Sequence, residues 1–490
     1  MDTEKDISIN QRGLVDTCFE EHQYESATVV LDQLRSPKYR PFPPHIRHLV
    51  YISLYPPTES EEFNADKLGS EPASPSKLLL RQQKTTLLPT RAARDAAVRL
   101  LFAFAQTNTP GALFAALPKY TAAGDGAVNG IQEDTDSFIA RQSIRVRNAK
   151  DCWTILKDGF VQPAAEVPPL KRKGPARARV VEQTVDGDSE EPGIPTPVGQ
   201  FAWPVLEWMI CLLEKDETLI GRSGQPPHSP LLLSQIPPPR AATGARWDIE
   251  APLDVIFYCL KERELRRRGL GIRLFTLLVN LSATTLVDLP LFLNGVGNRL
   301  FALNLDELTS LFAALPSSQT MLQFKVLLCK NHLSDFGAGS GQNSTRPKPQ
   351  ARGQPRPAPN RRKPSEPSLS ENPASQAASS SPASVARKFP TIPPSEIISL
   401  VESPCSTDVT SAAQTLRVKL ELALSYTLLR AHAGPGEDPE WQRVLRDGRL
   451  AAAFDAAVGL VKKTRSRTAG ALDERAIEGM KQLLAVVSVC

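Results

Sequence analysis

Cys18 and His22 stand four residues apart, and His45 and His48 three apart, spacings that put each pair on one face of a helix. Thiolate and imidazole hold zinc tetrahedrally, so together these side chains could make a Cys/His3 centre. Nothing brackets or repeats the ligands, however, and Cys18 falls on an apolar stripe with Leu14 and Phe19. A core cysteine and ordinary surface histidines are the expectation, and no metal ligand is assigned.

Nucleophilic catalysis has still less to work with. The chain has six histidines and neither a G-x-S-x-G elbow nor an H-E-x-x-H helix. Gly337-Ala338-Gly339-Ser340-Gly341 has the composition of a phosphate loop without its lysine. Asp186 and Asp188 lack the terminal glutamate of a calcium loop. No catalytic residue and no cofactor is expected, and the chain reads as non-enzymatic.

Charge is the stronger signal. Lys171-Arg172-Lys173, with Arg177 and Arg179, lies among Pro168, Pro169 and Pro175, which keep a basic run extended as import receptors require. Asp186, Asp188, Glu190 and Glu191 follow, so a solvated linker with self-neutralising halves is the competing reading. A second tract, Arg346, Lys348, Arg352, Arg356, Arg361, Arg362 and Lys363, has no acid between Asp335 and Glu366. Such a strand can displace counterions from phosphates, although it holds no aromatic ring to stack on bases. Lys261, Arg263, Arg266, Arg267 and Arg268 make one helix end basic. There they would complement the helix dipole or meet phosphate or an acidic partner. Ser74-Pro75, Thr196-Pro197, Ser229-Pro230 and Ser381-Pro382 are candidate phosphorylation switches in loops.

The elements that must position these residues are helices. In 490 residues, 41% are hydrophobic and 43 are proline, and the net charge of +5 is too small for a whole-surface nucleic-acid field. Seven scattered cysteines without a C-x-x-C pair fit a reducing compartment. The polar start Met1-Asp2-Thr3-Glu4-Lys5-Asp6 predicts no signal peptide, and the apolar stretch from Leu274 to Val287 is too short for a bilayer, which takes about 20 residues. The expected location is the nucleus, with the cytoplasm as alternative, and neither secretion nor membrane insertion is expected.

Apolar residues recur at helical spacing throughout. Three helices are predicted over 11–56, with Pro43-Pro44 opening the third. Tyr24, Ala27 and Leu31 give the first pair a tetratricopeptide-like spacing that has no second copy. Thr90 is expected to cap the next helix, Asn304 a later one, and helices are expected around Phe138–Ile144 and Ala149–Phe160. The 201–219 helix is apolar nearly all round, which belongs in a core with Trp208. Trp247 and Trp441 are candidate core or interface anchors.

The predicted fold is all-α: an irregular, repeat-like helical body with long disordered loops plus a small C-terminal helical bundle. Its parts are an N-terminal helical region (10–162), a disordered basic/acidic linker (163–200) and a central helical region packing with the first (201–336). A disordered Pro/Ser-rich basic tether (337–394) and the bundle (395–490) follow. The function expected is a nuclear adaptor or scaffold that binds protein partners through helical surfaces. A chromatin, telomere or DNA-repair factor using the tracts at 171–179 and 346–363, with weak non-specific nucleic-acid binding, is the alternative.

Overall fold

The computed structural model describes residues 4–56, 88–120, 137–161, 195–238, 246, 248–338, 389–403, 409–433 and 439–456. They are mostly helical, as the apolar periodicity predicts. The chain divides into two compact units, Met1–Phe324 and Lys325–Cys490.

The first unit opens with a helical hairpin, α1 (Ile9–Glu20) and α2 (Tyr24–Leu34). Ser8 and Gln11 form a capping box at the start of α1, which satisfies backbone donors that the helix leaves open. The turn between the helices is made by His22 at φ 61°, a left-handed conformation unusual for a residue with a side chain. Two short parallel strands, β1 (Lys5–Asp6) and β2 (Tyr39–Arg40), pair Lys5 with Tyr39 and Asp6 with Arg40. α3 (Pro43–Leu54) carries proline in its first turn, where the missing N–H costs nothing, and every residue from His45 to Leu54 is buried.

α4 (Arg91–Thr107) is capped by Thr90, whose hydroxyl accepts from the Ala93 amide at 3.0 Å. Its far end is a junction. The Asn108 side-chain amide donates to the carbonyls of Ser36 and Tyr39 at 3.1 and 2.8 Å, fixing β2. Lys215 Nζ donates to the Ala105 and Asn108 carbonyls at 2.9 and 2.7 Å, so a cation sits on the negative end of the α4 dipole. A short helix, α5 (Pro110–Phe114), and α6 (Phe138–Arg147) complete this block. The helix expected over Ala149–Phe160 is only a 3-10 turn at Thr154–Leu156. Asp151 caps this turn, accepting from the Thr154 amide at 2.8 Å and its hydroxyl at 2.7 Å. Beyond it the Asp158 amide donates to the Thr196 carbonyl at 3.1 Å and Gly159 adopts φ 73°, so the helix does not continue. Gly199 donates to the Leu156 carbonyl at 2.8 Å, holding this turn against the segment before the next helix.

α7 (Trp203–Arg222) is the central helix. Trp208, Met209, Ile210, Leu212 and Leu213 are wholly buried, each contributing about 1.5–3 kcal/mol of burial. It is not apolar all round, because Glu207, Glu214 and Glu217 line a partly open side. α8 (Pro230–Ser234) is capped by the Ser229 hydroxyl, which also donates to Asp216 at 2.6 Å. Ser229 is fully buried in this role, which removes Ser229-Pro230 from the exposed loop sites. α9 (Glu250–Lys261), α10 (Leu265–Ser282), α11 (Leu289–Leu300) and α12 (Leu305–Ala314) follow. Asn304 caps α12, with Glu307 returning the bond as a capping box.

The unit boundary falls within α13 (Gln319–Ala338), between Phe324 and Lys325. Phe324 belongs to the first unit, where its ring meets Phe275 at 5.7 Å and Phe292 at 5.3 Å.

The second unit contains α13 from Lys325, α14 (Pro394–Glu402), α15 (Val409–Ala433), α16 (Pro439–Arg446) and a helical stretch over 449–456. Ala413, Leu416, Leu420 and Ala423 recur at helical spacing and are buried, but α15 is no one-sided helix: every residue from Thr415 to Ala423 is buried. Trp441 is buried, edge-on to Tyr426 with ring centres 4.9 Å apart. The apolar stripe from Ile477 to Val487, which the sequence reads as a third bundle helix, lies outside the described residues, as does Trp247.

Candidate functional site

α7 and α10 run in the same direction and are laced by polar side chains. Arg266 reaches Glu207 at 2.7 Å, and seven residues further along both helices Arg273 reaches Glu214. The Arg273 contact is a fork, Nε to one carboxylate oxygen at 2.8 Å and Nη2 to the other at 2.6 Å. The repeat of seven holds one face of each helix together over two turns. Cys211 also accepts from Arg273, at 3.3 Å. The seam ends at Glu217, which accepts from the Asn280 amide at 3.0 Å. Burial pushes the Glu217 carboxyl up to about 7, the Asn280 bond opposes the shift, and Glu214 and Asp216 add to it.

The seam explains the basic cluster. Only Lys261 ends a helix; Arg266, Arg267 and Arg268 lie in the first turn of α10, at the positive pole of its dipole. The expected dipole complementarity is therefore reversed. Glutamates offset it: Arg267 pairs with Glu262 at 3.3 Å and Glu264 at 2.8 Å, and its guanidinium lies 4.7 Å over the Trp203 ring. Arg268 donates to the Glu262 carbonyl at 3.1 Å.

Beside Arg268 a cleft of about 190 Å³ opens between α9, α10 and α12. Leu260, Ile272, Leu303 and Leu311 make an apolar floor. Lys261 and Arg268 stand on one wall, and Asp306 and Glu307 on the other, with Ser310 and Ala314 at the exposed edge. An apolar trough with oppositely charged walls suits an amphipathic peptide segment, whose own charges would be matched on each side. Leu265, one turn before Arg268, is 79% exposed. Of the sequence-predicted residues, the structure brings only Lys261 and Arg268 to this cleft. Asp306 and Glu307 were missed as site residues, although the capping box that places Glu307 is visible in the sequence.

A second cleft, of about 270 Å³, is lined by Leu54, Lys157, Asp158, Phe160, Gln200 and Phe201. Gly199 permits its tight wall, since a Cβ there would lie 3.1 Å from the Asp158 Cα. Lys157 and Asp158 are its only charged lining residues.

Two of the candidate histidines are not surface residues. His45 and His48 are both buried. His45 Nε2 meets Asp16 Oδ1 at 2.8 Å, which is how a buried imidazole is tolerated there. His48 stands edge-on to Phe19 with ring centres 4.9 Å apart. Burial, then the neighbouring His45 and Arg47, hold its basicity well below the usual histidine value. Cys18 is half-buried, and His22 faces the Tyr24 hydroxyl at 3.3 Å. Among the described residues no group of three or more His, Cys, Asp or Glu side chains could hold a metal ion.

The basic tracts, Lys171, Arg172, Lys173, Arg177 and Arg179 and then Arg346, Lys348, Arg352, Arg356, Arg361, Arg362 and Lys363, lie outside the described residues. Among the described residues no helix is long and apolar enough to cross a membrane. No family model, curated protein or solved structure matches the chain.

Proposed function

We propose that the protein is a non-catalytic nuclear adaptor or scaffold that binds protein partners through its helical surfaces. The observation that carries this reading is the α9–α10–α12 cleft, whose apolar floor lies between Lys261 and Arg268 on one side and Asp306 and Glu307 on the other. Such a trough recognises a helical or extended peptide by shape and charge and needs no reacting group. Ser310 and Ala314 are exposed at its edge, so arginine can be placed there without disturbing the core. The test is affinity purification of the full chain beside its Ser310→Arg/Ala314→Arg variant. Partners should be lost from the variant while its thermal unfolding stays unchanged; an identical partner set in both removes the cleft from the proposal. Nuclear import through Lys171, Arg172 and Lys173 is tested by replacing all three with alanine in a tagged full-length copy.

The second reading, a nucleic-acid-associated factor, rests on the acid-free run of Arg346, Lys348, Arg352, Arg356, Arg361, Arg362 and Lys363. Its signature is binding to duplex DNA that weakens steeply with added salt and disappears when those residues are neutralised.

A further inference from the structure

We propose that helix α13 beyond Phe324 is a docking surface for the chain's own residues 389–456, so that residues 339–388 leave and return to one folded unit and do not space two units apart. Composition alone invites the other view, because the 337–394 stretch reads as a tether ahead of a separate bundle. The structure places α13 from Lys325 onward in the same compact unit as α14, α15 and α16.

The side chains say what holds them together. Within this unit Lys325 to Cys329 are five consecutive buried residues of α13. Lys325 Nζ donates to Glu421 Oε1 of α15 at 3.1 Å, and the two side chains are only 6% and 3% exposed. Glu421 also pairs with Arg417, one turn back on α15, at 3.0 Å and accepts from the Ser425 hydroxyl at 3.3 Å. Lys325 and Glu421 are both buried, so their pairing fixes α13 against α15 in this register. At the rim, Lys330 Nζ meets Glu396 Oε1 of α14 at 2.8 Å. The returning end of the chain is anchored as well: Phe389 and Ile392 are buried, and the Ile392 carbonyl accepts from the Tyr426 hydroxyl at 3.3 Å.

The partner that α13 fits is therefore a pair of helices carrying one buried carboxylate, and the chain supplies it from beyond residue 388. Docking of this kind does not need a continuous backbone. Both ends of the 339–388 stretch, with its basic residues from Arg346 to Lys363, are fixed on one unit.

The test uses the full chain with a site-specific protease sequence inserted between Ser370 and Glu371. After complete cleavage, the two pieces should co-elute from a native sizing column at micromolar concentration and in moderate salt. Elution as two separate species overturns the proposal. The rim pair then checks the geometry without touching the core. In the cleaved protein, Lys330→Glu should raise the concentration at which the pieces separate on dilution by about fivefold. Adding Glu396→Lys to that variant should restore the original value. A double variant no tighter than Lys330→Glu alone overturns the placement of α14 on this face.

Discussion

Gly271 of α10 and Cys259 of α9 meet with no space for another carbon atom: a Cβ on Gly271 would stand 2.8 Å from the Cys259 Cβ and 3.1 Å from the Ile256 carbonyl oxygen. Glycine within a helix ordinarily costs about 0.5–1 kcal/mol relative to alanine. Here it lets two helices approach closely, and both obstructing atoms are backbone or backbone-attached, so neither can swing aside. Gly271→Ala should therefore lower stability by about 1–3 kcal/mol despite the better helix propensity. Urea unfolding of the full chain measures it. A more stable variant would mean that the crossing has room to open.

The Glu217 carboxyl, pushed up to about 7 from an ordinary 4.5, makes stability depend on pH in a definite direction. Below the ordinary value both folded and unfolded chains hold the proton, and the folded state keeps its full advantage. As pH rises through the interval between the two values, the unfolded chain ionises first and stability falls; above it the loss is complete. Glu217→Gln keeps an acceptor for Asn280 and carries no charge. After allowance for partial exposure, it should stabilise the protein by on the order of 1 kcal/mol on the alkaline side and by little on the acid side. Denaturant melts on either side of the interval test this, and equal effects at both ends would contradict it.

His48 acts with the opposite sign. Its folded value lies well below the ordinary 6.5, so its contribution is present above that value and is lost as pH falls and the unfolded chain takes up a proton the folded one refuses. Among the described residues, its buried Nδ1 has no hydrogen-bond partner. His48→Leu should therefore leave neutral-pH stability within about 1.5 kcal/mol of the parent and make unfolding less sensitive to mild acid. Thermal melts across the range just below 6.5 are the measurement; an unchanged acid slope would remove His48 as its source.

His22 holds a left-handed turn between α1 and α2 at φ 61°. Its imidazole meets the Tyr24 hydroxyl at 3.3 Å, too long to offset much strain. His22→Gly should keep or raise stability by up to about 1 kcal/mol. His22→Val, which crowds a β-branched side chain into that conformation, should lower it by about 1–2 kcal/mol. The ordering of the two variants is the check.

Local features were the legible ones. Thr90, Asn304 and the Pro43-Pro44 start mark helix ends because capping depends on a few neighbouring atoms, and the apolar spacing of α7 and α15 marks buried faces for the same local reason. The helix expected over Ala149–Phe160 stops after one capped turn, because the Asp158 amide bonds the distant Thr196 carbonyl and Gly159 turns left-handed. Charge alone does not say that the arginines at 266–268 begin a helix and do not end one, so the pole at which they stand is not legible from it.

By itself the amino-acid order determined that apolar side chains return at the pitch of a helix, which makes an all-α chain, and where several of those helices start. Tertiary structure alone decided that His45 lies buried against Asp16, that Gly271 marks a close crossing, and that Lys325 meets Glu421. It also brought Lys261 and Arg268 opposite Asp306 and Glu307 across one cleft. The physical reason is range: hydrogen-bonded turns and caps span four residues, whereas burial, charge pairing and close packing depend on atoms delivered from distant helices, which no short window of sequence contains.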